Sequence, residues 1–341
     1  MSFRMTPKAL SRLPQWFFFL ASLVVGWRFY LFCRYAVGAG PEAARPAAVE
    51  GFLPISALLG ARQFFATGQW DPVHPAGLAI FLAALVMAFA FRKGFCGHVC
   101  PVGFVATRLG RLGARLGLSR SLPRRLDAAL GLPKYLLLAF FLYTTFFAMD
   151  PAAVSGFLRS SYNMTADARM LLFFTRPGPV AVVVLAVLAV LGLVFRGSFC
   201  RWLCPYGALL GLCAKAGPTA LVRDADACTG CGRCRKACPV DLPIDAGPRP
   251  MTCSGCAACV TACPSAARAA SFSFLGRRAP WWLPAAGACA VFAAAFGLAS
   301  ALGLWQAKMP AAMLARLYAA ALGGCGAKRE KFRPSPLSAM P

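Results

Sequence analysis

Histidine is nearly absent from this chain of 341 residues, since only His74 and His98 occur. Two imidazoles cannot supply the axial ligands of a bundle of bis-histidine haems, and no C-x-x-C-H sequence offers covalent haem attachment. No G-x-G-x-x-G run follows a predicted strand, so a nicotinamide or flavin site of that type is not supported. The sequence therefore predicts no substrate-transforming centre of its own.

Charged residues are also scarce, and acidic ones most of all. They make up 14% of the chain against 59% hydrophobic residues, with 11 Asp or Glu and 36 Lys or Arg. Such a composition lies outside the range of soluble domains and predicts a membrane protein. The basic residues occur in blocks between apolar runs, so membrane topology explains the formal net charge of +25 better than nucleic-acid binding does. We expect no nucleic-acid partner.

Apolar runs of a length suited to crossing a bilayer occur about five times. They lie at roughly 14–37, 75–91, 133–149, 178–195 and 281–305. The distribution of Lys and Arg predicts a multi-pass protein of the bacterial inner (cytoplasmic) membrane, with residues 92–134 and 196–280 on the cytoplasmic side. The N-terminus is then cytoplasmic as well, and the C-terminus lies outside.

Three shorter helices are predicted beside these spans. Residues 51–66 are apolar but too few to span, which favours an interfacial or re-entrant helix. Leu109, Leu112 and Leu116 share one helical face between arginines, as in an amphipathic helix on the inner leaflet. Residues 311–325 are long enough for one more short helix.

Eight of the sixteen cysteines form two runs of the same spacing, each reading C-x2-C-x2-C-x3-C-P. This spacing is typical of proteins with two [4Fe–4S] clusters, in which the fourth cysteine of each run binds the cluster of the other run. One cluster is therefore assigned to Cys228, Cys231, Cys234 and Cys263, and the other to Cys253, Cys256, Cys259 and Cys238. Zinc would need only two C-x2-C pairs, and disulfides are not expected among thiolates of a reducing compartment. The SFSF sequence at 271–274 resembles the closing strand of a ferredoxin sheet.

A second cysteine motif occurs in an internal repeat. With an offset of 104 residues, the C-x3-C-P turn of Cys96 and Cys100 recurs as that of Cys200 and Cys204, so two related helix pairs deliver two turns to one membrane face. If the turns meet, four thiols converge beside the ferredoxin segment. They could bind a metal or a third cluster, or cycle between dithiol and disulfide. The alternative is that each pair only packs its helix against the ferredoxin segment.

Two further residues are candidates for contact with a quinone. Arg28 lies within the first apolar run, where an arginine indicates a functional site unless its side chain reaches the outer interface. His74 directly precedes the second run and could accept a proton from a quinol, or it could be an ordinary interfacial residue.

Two C-x3-C-P turns that close membrane helices, followed by a two-cluster segment, resemble the NapH/MauN family of membrane-anchored ferredoxin-type proteins, with kinship to NosR and to the cytochrome oxidase accessory ferredoxins. The resemblance covers most of residues 10–275. It implies a quinol dehydrogenase-type subunit that passes electrons between the quinone pool and a periplasmic or membrane redox protein. The extension from Pro280 onward departs from the nitrate-reductase type of the family.

The predicted fold is mainly α, a polytopic helical membrane protein with an inserted α+β ferredoxin-like domain. Its domains are a four-helix membrane part at 1–217, a two-[4Fe–4S] part at 218–278, and a C-terminal span and tail at 279–341. The predicted function is electron relay. The alternative is an assembly factor that reduces a metal, for example copper, for another redox enzyme.

Overall fold

The computed structural model describes residues 10–242, 250–264 and 269–323, and these are mainly helical. Six helices in the first half are α1 Leu13–Ala36, α2 Pro54–Thr67, α3 Pro75–Ala90, α4 Pro101–Arg115, α5 Arg124–Leu130 and α6 Leu132–Tyr143. Those of the second half are α7 Pro151–Leu158, α8 Ser161–Met164, α9 Ala166–Thr175, α10 Pro179–Val194, α11 Pro205–Ala216, α12 Arg233–Ala237, α13 Ala258–Ala262, α14 Leu283–Ala301 and α15 Ala311–Gly323. The shorter elements are a 3₁₀ helix at Ala47–Phe52, π-helical turns at Phe95–Val99, Thr144–Ala148 and Phe199–Leu203, and strands β1 Thr219–Arg223, β2 Ala270–Phe274 and β3 Arg277–Ala279.

Proline marks the start of the apolar helices. It occupies one of the first two positions of α1, α3, α6, α10 and α14. The first N–H groups of a helix have no partner within it, so the missing N–H of proline costs nothing there. Proline thus sets the backbone geometry at the start of the long helices, and an uninterrupted run of apolar residues continues them.

Fewer helices cross the membrane by length than the five spans predicted. Among the described residues, three helical stretches are long and apolar enough, namely Leu13–Ala36, Arg124–Ala148 and Leu283–Ala301. A fourth is possible if α9 and α10, which meet at a bend of 76°, form one broken span. The second predicted span fails the test because α3 has 16 residues, about 24 Å at 1.5 Å per residue, less than the hydrocarbon thickness of about 30 Å.

Helix α3 is the central helix of the membrane part. Leu78, Phe81 and Met87 are buried, and α2, α11, α14 and the 3₁₀ helix all pack against it. Protein rather than lipid covers this apolar helix. Hydropathy cannot distinguish the two environments, because both favour apolar residues.

Two of the three shorter helices lie where they were predicted, as α2 and α15, and the predicted amphipathic helix is the C-terminal part of α4. Helix α4 packs closely on α10, where a Cβ added at Gly113 would lie 1.8 Å from the carbonyl oxygen of Leu193. Helix α4 is therefore fixed to α10, which is the counterpart of α3 in the internal repeat.

The ferredoxin-like part contains a three-stranded antiparallel sheet in the order β1–β2–β3, with Thr219 opposite Phe274 and Phe272 opposite Ala279. The predicted strand at 271–274 lies within β2. Phe272 is 1% exposed and packs on Leu221 and Val260, so the sheet covers the second cysteine run.

This part is joined tightly to the end of α3. A Cβ at Gly217 would lie 1.8 Å from the carbonyl oxygen of Phe89, and the Thr219 hydroxyl donates to the carbonyl oxygen of Ala90. Only glycine permits that approach. The cysteine runs are thereby held directly beneath the membrane helices.

Candidate electron-transfer site

The two cysteine runs have the same backbone conformation. Gly230 and Gly255 have φ of 67° and 66°, and two residues later Gly232 and Ala257 have φ of 66° and 59°. Positive φ is rare for alanine. Ala257 adopts it all the same, so the two loops have the same shape whether glycine or alanine occupies this position. The short helices α12 and α13 follow at equivalent places.

Each run ends in the same way. The fourth cysteines, Cys238 and Cys263, have φ of −70° and −71° with ψ of 125° and 123°. The backbone N–H of Leu242 donates to the Cys238 sulfur at 3.4 Å. Backbone N–H groups aimed at sulfur are the donors that an anionic iron–sulfur cluster requires.

One cavity collects the second set of predicted ligands. It is lined by Cys253, Cys256 and Cys259 of the second run together with Cys238 of the first. Burial raises the pKa of Cys238 to about 12, and the neighbouring thiol of Cys256 adds to the rise. Four thiols, small neighbours and backbone donors fit a [4Fe–4S] cluster, in the crossed arrangement that the spacing predicts.

The first set is closer to the surface. Hydrogen bonds from the backbone N–H of Gly230 and from Arg223 lower the pKa of Cys228, and a hydrogen bond from the N–H of Arg233 lowers that of Cys231. Cys234 and Cys263 complete this set in the sequence-based assignment, which stays a prediction. Within the described ranges, no group of three or more His, Cys, Asp or Glu side chains has the geometry to hold a single metal ion.

The two C-x3-C-P turns are alike in shape. Each begins with a π-helical turn, and Cys100 and Cys204 then cap α4 and α11 in extended conformation, with proline as the first helical residue. The Gly207 N–H donates to the Cys204 sulfur at 3.2 Å. Proline at the first position forces the chain to turn directly after the cysteine.

The structure brings the four cysteines of these turns together. Cys96, Cys100, Cys200 and Cys204 all line one cavity of about 550 Å³. Burial raises the pKa of Cys96 to about 12; Lys93 opposes this, and Cys100 and Cys204 add to it. The Cys96 thiol is therefore mostly protonated near neutral pH. Their metal-binding or redox role stays a prediction.

The same cavity reaches both the apolar helices and the ferredoxin part. Phe17, Phe18, Phe292 and Trp305 line its membrane side, and Cys256 of the second run lines its other side. Its wall is mostly aromatic and aliphatic, as in sites for apolar ligands. A molecule in this cavity would lie next to a predicted cluster ligand.

Gln15 is one of several polar or charged residues in that wall, together with Lys93, Arg201 and Ser254. It is 8% exposed, and its Nε2 donates to the carbonyl oxygen of Gly97 at 2.5 Å. That bond leaves Oε1 as a buried acceptor without a hydrogen-bond partner. A buried acceptor in this state costs roughly 1–3 kcal/mol unless a ligand donates to it.

The first C-x3-C-P turn touches the second cysteine run. A Cβ on Gly97 would lie 2.3 Å from the Ser254 carbonyl oxygen, and His98 Nε2 lies 3.3 Å from that of Gly255. Burial lowers the pKa of His98 to about 4, so the ring is neutral. His98 is thus part of the junction between membrane and ferredoxin parts.

Two arginines that recur in the repeat hold the two runs. Arg92 donates to the carbonyl oxygens of Ala214, at 3.0 Å, and of Pro250, just before the second run. Its repeat partner Arg196 donates to the Cys238 carbonyl oxygen at 3.2 Å and pairs with Asp241 at 3.1 Å. The sequence showed that the two arginines recur. It did not show that each contacts a different cysteine run.

The candidate quinone residues lie in different environments. Arg28 is exposed on α1, whereas His74 is 1% exposed. His74 Nδ1 lies 3.7 Å from Glu50 Oε1, and Nε2 lies 2.8 Å from the Asn163 carbonyl oxygen. The quinone contacts of both residues stay predictions.

Sequence reasoning missed a buried polar network beside His74. Arg45 pairs with Glu50 at 2.7 Å and with Asp167 at 2.8 Å, and the Tyr318 hydroxyl donates to Asp167 at 2.6 Å. Glu50 is near Arg45 in the chain, but Asp167 and Tyr318 are far from it, so no local pattern could identify the network. The network joins α15 to the helices before it.

A family model described as a 4Fe-4S binding domain matches residues 73–119 and again 177–223, at the offset of the internal repeat. A second model, also described as a 4Fe-4S binding domain, matches residues 221–243. These matches support the repeat and the iron–sulfur assignment.

Three relatives illustrate the wider similarity. The chain is 37% identical over 227 residues to the Putative electron transport protein YccM of Escherichia coli (strain K12), covering 66% of this chain and 63% of that protein. It is 33% identical over 203 residues to the Methylamine utilization ferredoxin-type protein MauN of Methylorubrum extorquens, covering 56% and 62%. To Protein NirI of Paracoccus denitrificans it is 31% identical over 151 residues, covering 43% and 21%. In each case less than two thirds of the relative is covered. No solved structure matches.

Proposed function

Since this chain belongs to the MauN/NapH-like family of ferredoxin-type proteins, we propose that it relays electrons between the membrane quinone/quinol pool and a periplasmic or membrane redox protein. It is an iron–sulfur electron transport protein with apolar helices of membrane-spanning length. The quinol, the partner and the direction of transfer belong to the proposal.

The observation that carries the proposal is the aromatic-lined cavity that reaches from α1 and α14 to Cys256. A quinol is an apolar ring with two hydroxyl groups and an isoprenoid tail, so it needs an apolar cavity with few hydrogen-bonding groups. Phe17, Phe18 and Phe292 would contact ring and tail, and Gln15 Oε1 would accept a hydrogen bond from one hydroxyl.

The protein itself then holds the cavity and the two cysteine runs in position. When bound, the two clusters supply reversible one-electron transfer, which suits a donor of two electrons. The junction at Gly97 and Ser254 keeps the cavity within contact of the second run. Arg92 and Arg196 hold the runs at fixed places on the membrane part.

Filling the cavity tests the proposal. We expect Ala21→Trp, on the cavity wall, to slow quinol-driven reduction of the clusters by roughly tenfold or more because the added indole occupies the site. The measurement is the bleaching of iron–sulfur absorbance after addition of a quinol to anaerobic proteoliposomes.

The matched control is Leu23→Trp, an exposed position on the same helix. It should reduce at the wild-type rate, and both variants should keep their iron. An unchanged rate in iron-replete Ala21→Trp would show that no quinol enters this cavity.

We also propose that the ferredoxin part faces the cytoplasm of a bacterial inner membrane. Arg108, Arg111, Arg115, Arg120 and Arg124 support this, because positive charge is concentrated on cytoplasmic loops. A periplasm-active phosphatase fused near Arg120 should therefore be inactive, and a cytoplasm-active reporter at the same place active. Activity of the phosphatase would reverse the topology.

A second candidate is metal reduction during assembly of another redox enzyme. The four thiols that line the cavity support it, since thiols bind soft ions such as Cu(I), although the described side chains form no group of three that would hold one ion. Isolated membranes distinguish the two functions. The relay predicts quinol oxidation that depends on this protein, whereas the alternative predicts cupric-ion reduction that depends on it.

A further inference from the structure

A cluster of four arginines lies where the start of α1 meets α4. Arg12 directly precedes α1, and Arg108, Arg111 and Arg115 lie on α4. Burial, followed by the charges of Arg12 and Arg108, lowers the pKa of Arg111 to about 10. Arg108, Arg111 and Arg115 are spaced by three and four residues and so share one face of α4, the helix on which the start of α1 packs.

Acidic residues that could balance this charge are missing from the surrounding sequence. No Asp or Glu occurs in residues 1–41 or 72–126, and the elements packed most closely on α4, namely α1, α10 and two π-helical turns, contain none. Within the part of the chain that the structure describes, no ion pair involves these four arginines. Residues 1–9 lie outside that part, and the charged residues among them are both basic, Arg4 and Lys8.

Several nitrogen atoms of the cluster are buried without a hydrogen-bond acceptor. These are Nε and Nη2 of Arg108 and Nη1 of Arg111. The Arg108 guanidinium is held in place, since it lies 4.5 Å from the ring centre of Trp16 and 4.7 Å from that of Phe104. A fixed fork of donors without an acceptor matches a phosphate oxygen pair.

Exposed apolar side chains adjoin the arginines. Trp16, Phe17 and Leu20 on α1 are 43%, 66% and 54% exposed, and Val105 and Leu112 on α4 are 43% and 46% exposed. A tryptophan between cationic and apolar surface is typical of the membrane interface. The ligand that suits this surface therefore has both a phosphate and acyl chains.

We propose that this arginine cluster binds the headgroup phosphate of an anionic phospholipid, with its acyl chains lying against Trp16, Leu20 and Val105. The site is separate from the proposed quinol cavity in its ligand and in its charge. It goes beyond electron relay, because it gives the protein a preference for a class of lipid. Bound lipid would also neutralise charge beside the junction of α1 and α4, and so stabilise it.

The test uses the full-length, cluster-loaded protein in detergent and counts bound lipids by native mass spectrometry. Dioleoylphosphatidylglycerol should bind the wild type more tightly than dioleoylphosphatidylcholine. The double variant Arg12→Gln/Arg108→Gln should weaken phosphatidylglycerol binding by roughly thirtyfold, as expected for the loss of two basic residues near an anionic lipid. Arg108→Lys should weaken it less, because it keeps the charge but loses the fork.

The matched control removes the same charge nearby. Arg124→Gln/Arg125→Gln, at exposed positions of α5, should leave lipid binding unchanged. Equal loss in this control would mean that only net charge matters and would overturn the site. Full displacement of the lipid by millimolar inorganic phosphate would likewise overturn it, because the acyl chains would then contribute nothing.

One further outcome would assign the arginines to the second cluster instead. The pKa of Cys256 is affected by Arg111, so these groups lie near each other. If Arg12→Gln/Arg108→Gln keeps wild-type lipid binding and instead shifts the reduction potential of a cluster in a redox titration followed by electron paramagnetic resonance, the lipid site is wrong. Iron content of each variant shows that it is folded.

Discussion

Replacing Cys238 by serine is expected to remove one of two clusters. Cys238 belongs to the first run, but the cluster lost should be the one held by Cys253, Cys256 and Cys259 of the second run. Anaerobic wild-type protein should contain about eight irons per chain, and Cys238→Ser about four. Cys238 lines the cavity of Cys253, Cys256 and Cys259, so its loss leaves that cluster with three thiolates. The measurement is iron and sulfide content, with redox titration to identify the remaining cluster.

Two comparisons make this result specific. Cys289→Ser, in α14 and outside both runs, should keep about eight irons. Cys263→Ser should lose the cluster of the first run, leaving a titration complementary to that of Cys238→Ser. Zinc in place of iron in the wild type would contradict the central assignment. Loss of the same cluster in both variants would contradict the crossed arrangement.

Removing one thiol from each C-x3-C-P turn is expected to stop electron transfer from quinol while the two ferredoxin clusters stay. We expect Cys100→Ala/Cys204→Ala to slow quinol-driven cluster reduction by about a hundredfold, as loss of a metal or redox step at an active site does. The reason is position, since the four thiols line the cavity between the apolar helices and Cys256. Any metal bound at the turns should disappear with them.

The control for this variant is Cys33→Ala/Cys289→Ala, which removes two thiols from membrane helices elsewhere. It tests whether small losses of packing alone reduce the rate, since deleting a buried thiol also leaves a cavity. Full electron transfer and unchanged metal content in Cys100→Ala/Cys204→Ala would leave these cysteines with a packing role only.

Much of the candidate site could be predicted because its determinants are local. A [4Fe–4S] ligand loop depends on cysteines three residues apart and on small neighbours, so the runs beginning at Cys228 and Cys253 were recognisable without the fold. The same holds for proline after Cys100 and Cys204. The internal repeat further predicted that two turns face one side of the membrane, which stays a prediction; the structure shows that both turns line one cavity.

The number of membrane spans could not be read from hydropathy alone. Helix α3 is as apolar as a span, yet most of its 16 residues are buried among α2, α11 and α14. An apolar helix has the same sequence whether protein or lipid covers it. Likewise α9 and α10 meet at a bend that only the arrangement of the chain determines.

What the sequence alone determined is the chemistry, namely iron–sulfur cysteine runs, C-x3-C-P thiol turns and blocks of basic residues, because each arises from residue types at short spacing. What only the tertiary structure decided is which distant groups meet. Arg45 reaches Asp167 and Tyr318, and Gly97 lies against the Ser254 carbonyl. The cavity joining α1 to Cys256 is likewise lined by residues from distant parts of the chain. Such contacts depend on the packing of the whole chain, which no local pattern encodes.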